Sequence, residues 1–176
     1  MRGTRNTHSN EVRALCEAPW FDQIEVFESS MTEGRDWYGG LSPFVILSQR
    51  PNALPSLKHL ILGDQIDPRT FGRLDAFDRI ERLTYRPRRP VYFDAGLEYL
   101  SRVDTRALRV LDVSQVFEAP RLDPLEDWAE AMIRARPDVE RMASLGLERL
   151  ILGPHAPQRV WDAFPADLTG RAGAGL

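Results

Sequence analysis

A six-residue pattern that recurs along this chain constrains its fold more than any other feature. The pattern is apolar, any, any, apolar, any, apolar, and residues 57–62 and 147–152 fit it as Leu-x-x-Leu-x-Leu. It returns at residues 80–85 and 108–113 and, more loosely, at residues 24–29, so that the copies begin 33, 23, 28 and 39 residues apart. A unit repeated on this scale predicts stacked supersecondary units.

The segments between the copies carry the signals of α-helices. Each copy alternates apolar and other residues, which predicts a short strand with one buried face. Helix starts are marked by side chains that accept backbone N–H groups and by prolines that fit the first turn. Such starts are predicted near Asn10, at Ser42-Pro43, at Asp67-Pro68, at Asp94, at Asp123-Pro124 and near Pro157. Strands that alternate with helices predict an α/β fold with a parallel sheet.

The position of the last copy has two interpretations. Residues 137–142 resemble the residues that lead into the second copy, which would put Val139 in the place of Leu57. Residues 147–152 alternate more cleanly, and Gly146 can end a helix just before them. The sequence therefore favours Leu147 as the first residue of the last copy.

Polar residues inside the strands distinguish two architectures that share parallel strands. In a doubly wound sheet, helices cover both faces and central strands are almost continuously apolar. Here the copy at residues 80–85 contains Glu81, Arg82 and Thr84, and the next copy contains Asp112. One face of the sheet is therefore expected to meet water. This predicts a solenoid with short parallel strands on its concave face and helices on its convex face.

The residue after the first apolar position alternates in charge from copy to copy. In a parallel stack these residues would be neighbours, and opposite charges on neighbouring strands attract. The alternation therefore favours stacking of the copies. The five residues are Glu25, Lys58, Glu81, Arg109 and Glu148.

The Leu-x-x-Leu-x-Leu unit resembles the leucine-rich-repeat family over roughly residues 11–165. The stretch at residues 54–60 is also similar to the degenerate repeats that follow F-box motifs in ubiquitin-ligase substrate receptors, although no F-box is visible upstream. The resemblance implies a non-enzymatic protein-binding module that recognises substrates for a ubiquitin ligase. Family repeats continue to an asparagine or cysteine three positions further on, where this chain has Thr32, Gln65, Arg88, Val116 and His155.

Composition favours one globular domain with flexible ends. The chain has 176 residues, a hydrophobic fraction of 43% and a single cysteine, Cys16, which cannot form an intramolecular disulfide. We expect a flexible N-terminus at residues 1–10, one domain of about five irregular repeats at residues 11–168, and a flexible tail at residues 169–176.

Charge and hydropathy narrow the expected partners and location. The net charge of −3 disfavours a general nucleic-acid binder. No apolar run approaches the roughly 20 residues of a membrane helix, and none follows the N-terminus as in a secretory signal. The sequence therefore predicts an intracellular protein, cytoplasmic or nuclear, that binds neither nucleic acid nor membrane.

A protein partner is expected on the concave strand surface, because side chains there have no packing duty. The third and fifth pattern positions project there, and an arginine cluster at residues 79–89, stiffened by Pro87 and Pro90, lies along its edge. The cluster favours an acidic or phosphorylated segment as partner. The predicted partner-binding residues are His59, Ile61, Arg82, Thr84, Arg86, Arg88, Val110, Asp112 and Arg149.

No catalytic, cofactor or metal site is predicted. The histidines His8, His59 and His155 lack a second ligand at metal-binding spacing, and no histidine is near Asp112 and Ser114 in sequence. The alternative is a small doubly wound nucleotide-binding or enzymatic domain with its ligand at the carboxyl ends of the strands. Those ends are Gly63-Asp64, Ser114-Gln115 and Gly153-Pro154. A third possibility is an incomplete repeat array.

Overall fold

A parallel sheet of five strands forms the frame of the described residues. The computed structural model describes residues 14, 17–29, 54–64, 77–87, 89–118 and 123–170. The strands pair in the order of the sequence, and all four neighbouring pairs are parallel. The predicted α/β class with a parallel sheet is thus confirmed. The strands are β1 (Val26–Ser29), β2 (His59–Asp64), β3 (Arg82–Pro87), β4 (Val110–Asp112) and β5 (Arg149–Ile151).

Helices connect the last three strands and follow the sheet. Among the described residues, one α-helix lies between β3 and β4, two lie between β4 and β5, and two short ones follow β5. Short 3₁₀ helices precede β1 at Phe21–Gln23 and follow β4 at Ser114–Phe117. The α-helices are α1 (Pro90–Leu100), α2 (Leu125–Arg134), α3 (Arg136–Leu145), α4 (Gln158–Asp162) and α5 (Ala166–Thr169).

The strand register aligns the sequence repeats position by position. Leu60, Leu83 and Leu111 are the fourth positions of their copies, and they pair directly with one another. The last copy begins at Leu147 as predicted, because β5 contains Leu150, whereas Val139 lies in α3. The third positions form a row across the sheet that consists of Val26, His59, Arg82, Val110 and Arg149. The fifth positions form the next row, which consists of Glu28, Ile61, Thr84, Asp112 and Ile151.

A repeated pair of backbone hydrogen bonds fixes this register just before each strand. The carbonyl of Glu25 accepts the N–H groups of Lys58 and His59 at 2.9 and 3.0 Å. The corresponding carbonyls belong to Lys58, Glu81 and Arg109. Each accepts the N–H groups at the second and third pattern positions of the next copy, at 2.8 to 3.0 Å. Every junction between copies therefore has the same backbone geometry.

The alternating charges contribute less to stacking than these backbone bonds. In the part of the chain that the structure describes, one neighbouring pair of these side chains forms an ion pair, with Arg109 Nη1 3.6 Å from Glu148 Oε1. Both side chains are largely exposed, and such pairs typically contribute less than about 1 kcal/mol. The sequence alternation is real, but it is not what sets the register.

The core lies under the apolar positions of the pattern. In the last four copies the first, fourth and sixth positions are all buried. A further buried position lies three residues before each of the first four copies, at Phe21, Leu54, Phe77 and Thr105. The six-residue pattern does not include this position. Its carbonyl accepts the N–H of the first pattern residue in three copies, for example Leu57 N to Leu54 O at 3.0 Å.

An aromatic stack joins the sheet to the helices. The Tyr85 ring on β3 stacks on Phe93 of α1 with centroids 5.7 Å apart, and Phe93 meets Trp128 of α2 edge-on at 6.1 Å. The Tyr85 hydroxyl donates to the carbonyl of Tyr92 at 2.6 Å, and burial raises the pKa of this phenol. The hydroxyl needs space beside α1, which Gly96 provides. A Cβ at residue 96 would lie 2.1 Å from the Tyr85 oxygen.

One predicted helix start is wrong, and a second helix starts where predicted but without the predicted aspartate cap. Helix α1 begins at Pro90, not at Asp94, because proline is compatible with the first helical turn. Asp94 instead accepts a hydrogen bond from Arg134 Nε at 2.8 Å. Helix α2 has Pro124 as its N-cap, and Asp123 makes no capping bond.

Other helix predictions are confirmed or lie outside the described residues. The helix near Pro157 and the break at Gly146 are confirmed, with Gly146 at a φ of 128°. The predicted helix starts near Asn10, at Ser42-Pro43 and at Asp67-Pro68 lie outside the described residues, as does the predicted flexible N-terminus at 1–10. Of the predicted flexible tail at 169–176, only the first two residues are described: Thr169 ends α5 and is buried, and Gly170 follows it as the C-cap.

Replacement of Gly96 tests the aromatic stack. We expect Gly96→Ala to lower the free energy of unfolding by about 1–3 kcal/mol, because the new methyl group collides with the Tyr85 hydroxyl. Alanine otherwise favours a helix over glycine by about 1 kcal/mol, so a stabilised variant would contradict the close approach. Urea unfolding measures the effect. Glu98→Ala, at an exposed position of the same helix, is the control and should stay within about 0.5 kcal/mol of the parent.

Candidate functional site

The candidate site is the face of the sheet that carries the third and fifth pattern positions, which we call the strand face. Side chains alternate across a strand, so these positions point away from the core formed by the fourth and sixth positions. Aliphatic side chains lie at both flanks: Val26, 56% exposed, and half-buried Ile61 on one side, and half-buried Val110 and Ile151 on the other. Polar side chains occupy the centre.

Asp112 organises the centre of the strand face. Its Oδ2 accepts a hydrogen bond from Arg82 Nη2 at 2.6 Å. Its Oδ1 accepts the Ser114 backbone N–H at 3.1 Å and the Ser114 hydroxyl at 2.7 Å. A carboxylate can be buried at low cost only when it is paired and hydrogen-bonded, and Asp112 meets both conditions while only 8% exposed. The aspartate thereby holds Arg82 in a fixed orientation.

His59 and Thr84 form the neighbouring part of the centre. His59 Nε2 lies 2.9 Å from Thr84 Oγ1, and Thr84 is 5% exposed. Burial lowers the pKa of His59 below its ordinary value of 6.5, and the positive charge of Arg82 lowers it further, while Asp112 opposes the shift. The imidazole is therefore mainly neutral at pH 7. The sequence pattern predicts Thr84 and Asp112 on a surface without packing duty, and their burial corrects that expectation.

Arg86 spans the strand face from β1 to the end of β4. Its Nη1 donates to Gln115 Oε1 at 2.9 Å, and its Nη2 donates to Glu28 Oε1. Between Arg86 and β1 lies β2, where the register partner of Arg86 is Gly63. Because glycine has no side chain, nothing at that position blocks the path of the guanidinium to Glu28. The carboxylate of Glu28 balances the positive charge of Arg86, and the amide oxygen of Gln115 accepts a second hydrogen bond from it.

The predicted basic cluster is largely neutralised where the structure describes it. Arg79 donates to the Leu54 carbonyl at 3.2 Å and lies 3.4 Å from Asp78, while Arg82 and Arg86 pair with Asp112 and Glu28. Among the described arginines of the cluster, Arg89 alone is exposed without an ion pair, so the other three no longer form a free basic edge. Arg88 lies outside the described residues.

The predicted partner-binding residues fall into three groups. His59, Arg82, Thr84 and Asp112 form the polar centre. Ile61, Val110 and Arg149 lie on the strand face around it, and Arg86 lies further along β3. Ser114 was not among the predicted residues, although the alternation of residues 110, 112 and 114 could have placed it on the same face. No local signal reveals the contact of Gln115 with Arg86, since these residues are 29 positions apart.

The carboxyl ends of β4 and β5 pack against each other. Gly153 has a φ of 78°, and a Cβ there would lie 2.8 Å from the Ser114 Cβ. The Ser114 hydroxyl donates to Asp112. These groups are therefore used in packing and hydrogen bonding rather than presented to a ligand, as the nucleotide-binding alternative would require.

Removal of the Asp112 carboxylate tests the polar centre. We expect Asp112→Ala to lower the free energy of unfolding by about 1–3 kcal/mol, because Arg82 and Ser114 lose their buried acceptor. Chemical denaturation measures the loss. Glu148→Ala breaks the exposed pair with Arg109 and should change stability by no more than about 0.5 kcal/mol. Equal losses of stability for the two substitutions would contradict the conclusion that Asp112 is a buried acceptor on which the polar centre depends.

The lowered pKa of His59 predicts a loss of stability in acid. Because the folded state disfavours the imidazolium, the unfolded state binds more protons once the pH falls below 6.5, and unfolding becomes easier. The His59 contribution is complete above the unfolded pKa and is lost as the pH falls through the lowered folded pKa. We expect His59→Gln to lose less stability than the parent between about pH 7.5 and pH 5. The lowered pKa of His59 would be excluded if the free energy of unfolding depended on pH identically in the parent and in His59→Gln, or if an NMR titration gave His59 a pKa above 6.5.

Comparison with known proteins identifies no relative of this chain. No family model, curated protein or solved structure significantly matches the chain. Within the described residues, no helix is both long enough and apolar enough to cross a bilayer. The function therefore has to be inferred from the strand face itself.

Proposed function

We propose that this protein is a leucine-rich-repeat-like solenoid that binds another protein through its strand face. The observation that carries the proposal is the register, which brings the third and fifth positions of five successive copies into two continuous rows. The strands follow one another in sequence order, and the helices pack on the apolar positions of the other face. Both features are typical of solenoids, which bind partners on extended surfaces.

The dimensions of the strand face suit a protein partner. Strands in a sheet lie about 4.8 Å apart, so five of them present a surface about 19 Å wide. Aliphatic side chains supply apolar contact area, and the polar centre supplies donors and acceptors already held in place. Groups that are ordered before binding reduce the entropy lost on association.

The chemistry of the polar centre favours binding over catalysis. A serine nucleophile needs a neighbouring general base, yet the Ser114 hydroxyl donates to Asp112, and His59 contacts Thr84. The polar side chains of the centre thus form bonds that hold one another. These mutual bonds suit a rigid recognition surface. The Ser114 hydroxyl, in contrast, is not activated as a nucleophile, because the Asp112 carboxylate that accepts its hydrogen bond also accepts bonds from Arg82 and the Ser114 backbone.

The resemblance to repeats behind F-box motifs makes the proposal more specific. In that setting the strand face would recognise proteins that a ubiquitin ligase modifies. Support for this role comes from the Leu-x-x-Leu-x-Leu units and from the stretch at residues 54–60. If the chain has this role, it should associate stably with a ubiquitin-ligase scaffold inside cells.

Two triple variants, one on each side of the sheet, test the proposed function. The first changes the strand face by Ile61→Ser, Val110→Ser and Arg149→Gln. The second changes the helix side by Val91→Ser, Glu98→Gln and Arg141→Gln, all in a cleft between α1 and α3. Crosslinked complexes are isolated from cells that express each variant, and the identified partner is then purified and titrated. Circular dichroism and thermal unfolding must first show that both variants fold.

We expect the strand-face variant to bind the purified partner at least about tenfold more weakly than the parent, which corresponds to about 1.4 kcal/mol. The helix-side variant should bind as the parent does. Undiminished binding by the folded strand-face variant, or loss confined to the helix-side variant, would refute the proposed function.

A further inference from the structure

We propose that the β4–β5 end of the strand face binds an anionic side chain of the partner, held between Arg82 and Arg149 above Val110, with an adjacent aliphatic residue on Ile151. This inference rests on the proposed function and adds the chemistry of the partner. The shared feature of the ligand is a negatively charged oxygen group, either a carboxylate or a phosphate ester, in a polypeptide.

The register creates the place for the anion. Arg82, Val110 and Arg149 are direct neighbours on β3, β4 and β5. At about 4.8 Å per strand, the Cα atoms of the two arginines lie about 10 Å apart. Valine is much shorter than arginine, so Val110 separates two longer cationic side chains: the Arg82 guanidinium reaches across to Asp112 on β4, and Arg149 lies beside Gly170 at the end of α5. Val110 has no hydrogen-bonding side-chain group of its own that would compete with the arginines for the anion.

The charges of the strand face are unevenly compensated. Arg86 is bound by both Glu28 and Gln115. Arg149 is exposed, and among the described residues it has neither an ion-pair partner nor a side-chain hydrogen bond. On the strand face, the arginine that has no partner among the described residues is therefore at the β5 end. A partner with a negative group there would complement it, as opposed charges commonly do across interfaces.

Asp112 already balances the charge of Arg82, so Arg82 would contribute a positioned hydrogen-bond donor, while Arg149 contributes the positive charge. Asp112 lies beneath Arg82 and engages Nη2, while the Arg82 side chain remains 43% exposed. Asp112 is in turn fixed by two hydrogen bonds from Ser114. The Nε of Arg82 is buried, so an anion would have to approach the exposed terminal nitrogens of the guanidinium. An arginine fixed by a buried carboxylate loses little entropy when it binds an anion.

The aliphatic part of the subsite adjoins the anion site. Ile151 and Val110 are both half-buried, and Ile151 lies two residues beyond Arg149 on the same side of β5. A segment that reaches Arg149 with a carboxylate or phosphate would place a neighbouring side chain over Ile151. We therefore expect the recognised sequence to contain an acidic or phosphorylated residue next to Leu, Ile or Val.

Selection from a peptide library tests the anion subsite without requiring the partner to be identified. The full chain is used to select from bead-displayed peptides of random sequence, in two separate sets. One set contains Asp and Glu but no phosphorylated residue, and the other contains phosphoserine but neither Asp nor Glu. Binding of the selected peptides is then measured for the parent, for Arg149→Gln and for Arg141→Gln. Arg141 is an exposed arginine of α3 that, within the described part of the chain, also has no ion pair, so it controls for loss of one positive charge.

We expect enrichment of an anionic residue beside an aliphatic one, and the set in which it occurs identifies the anion as carboxylate or phosphate. The affinity should fall about tenfold or more for Arg149→Gln, remain unchanged for Arg141→Gln, and weaken as salt rises from about 50 to 500 mM. Failure to select any peptide, selection of neutral or basic peptides, or equal losses for the two variants would overturn the inference.

The two proposals can fail separately. If the strand-face triple variant loses its protein partner but the selected peptides are neutral, the protein binds through this face without an anion subsite. If the triple variant keeps its partner, the proposed function fails first, and an effect of Arg149→Gln on peptides would not rescue it.

Discussion

The paired hydrogen bonds at each junction between copies are the constraint on which the rest of the structure depends. Four carbonyls, one per junction, accept two N–H groups from the following copy with nearly identical lengths. This contact uses backbone atoms alone, so it tolerates the wide variation of side chains and of spacing between the copies. It also sets the register before each strand begins. A slip of one residue would turn the leucines of the fourth position to the surface.

The fixed register turns local sequence into a defined surface. Residues that are 25 to 30 positions apart in sequence, such as His59 with Thr84 and Arg82 with Asp112, become neighbours because their copies are aligned. Their mutual hydrogen bonds then allow Thr84 and Asp112 to be buried on a face that is otherwise open. The same alignment separates a region around Arg86, whose charge Glu28 balances, from Arg149, which has no ion pair among the described residues. The chemistry of the strand face is thus a consequence of stacking.

The sequence predicts the strands well and the interactions between side chains poorly. Strand positions, their parallel order and the start of the last copy at Leu147 follow from an apolar period that burial enforces. The helix that begins at Pro90 starts earlier than predicted, and the helix that begins at Leu125 starts where predicted but without a cap from Asp123, because a proline rather than an aspartate side chain marks both starts. The pairing of Arg86 with Glu28 depends on long side chains and on a glycine in the intervening strand, which no local pattern reveals.

Amide hydrogen exchange at the second pattern positions tests the central claim most directly. The side chains there are exposed, so burial of the residue gives no reason for slow exchange. If the junction bonds hold the copies together, these amides should exchange as slowly as those inside the strands, by NMR at neutral pH. Rapid exchange at these amides, with slow exchange of the strand interiors, would contradict the central role of the junction bonds. The amides in question belong to Lys58, Glu81, Arg109 and Glu148.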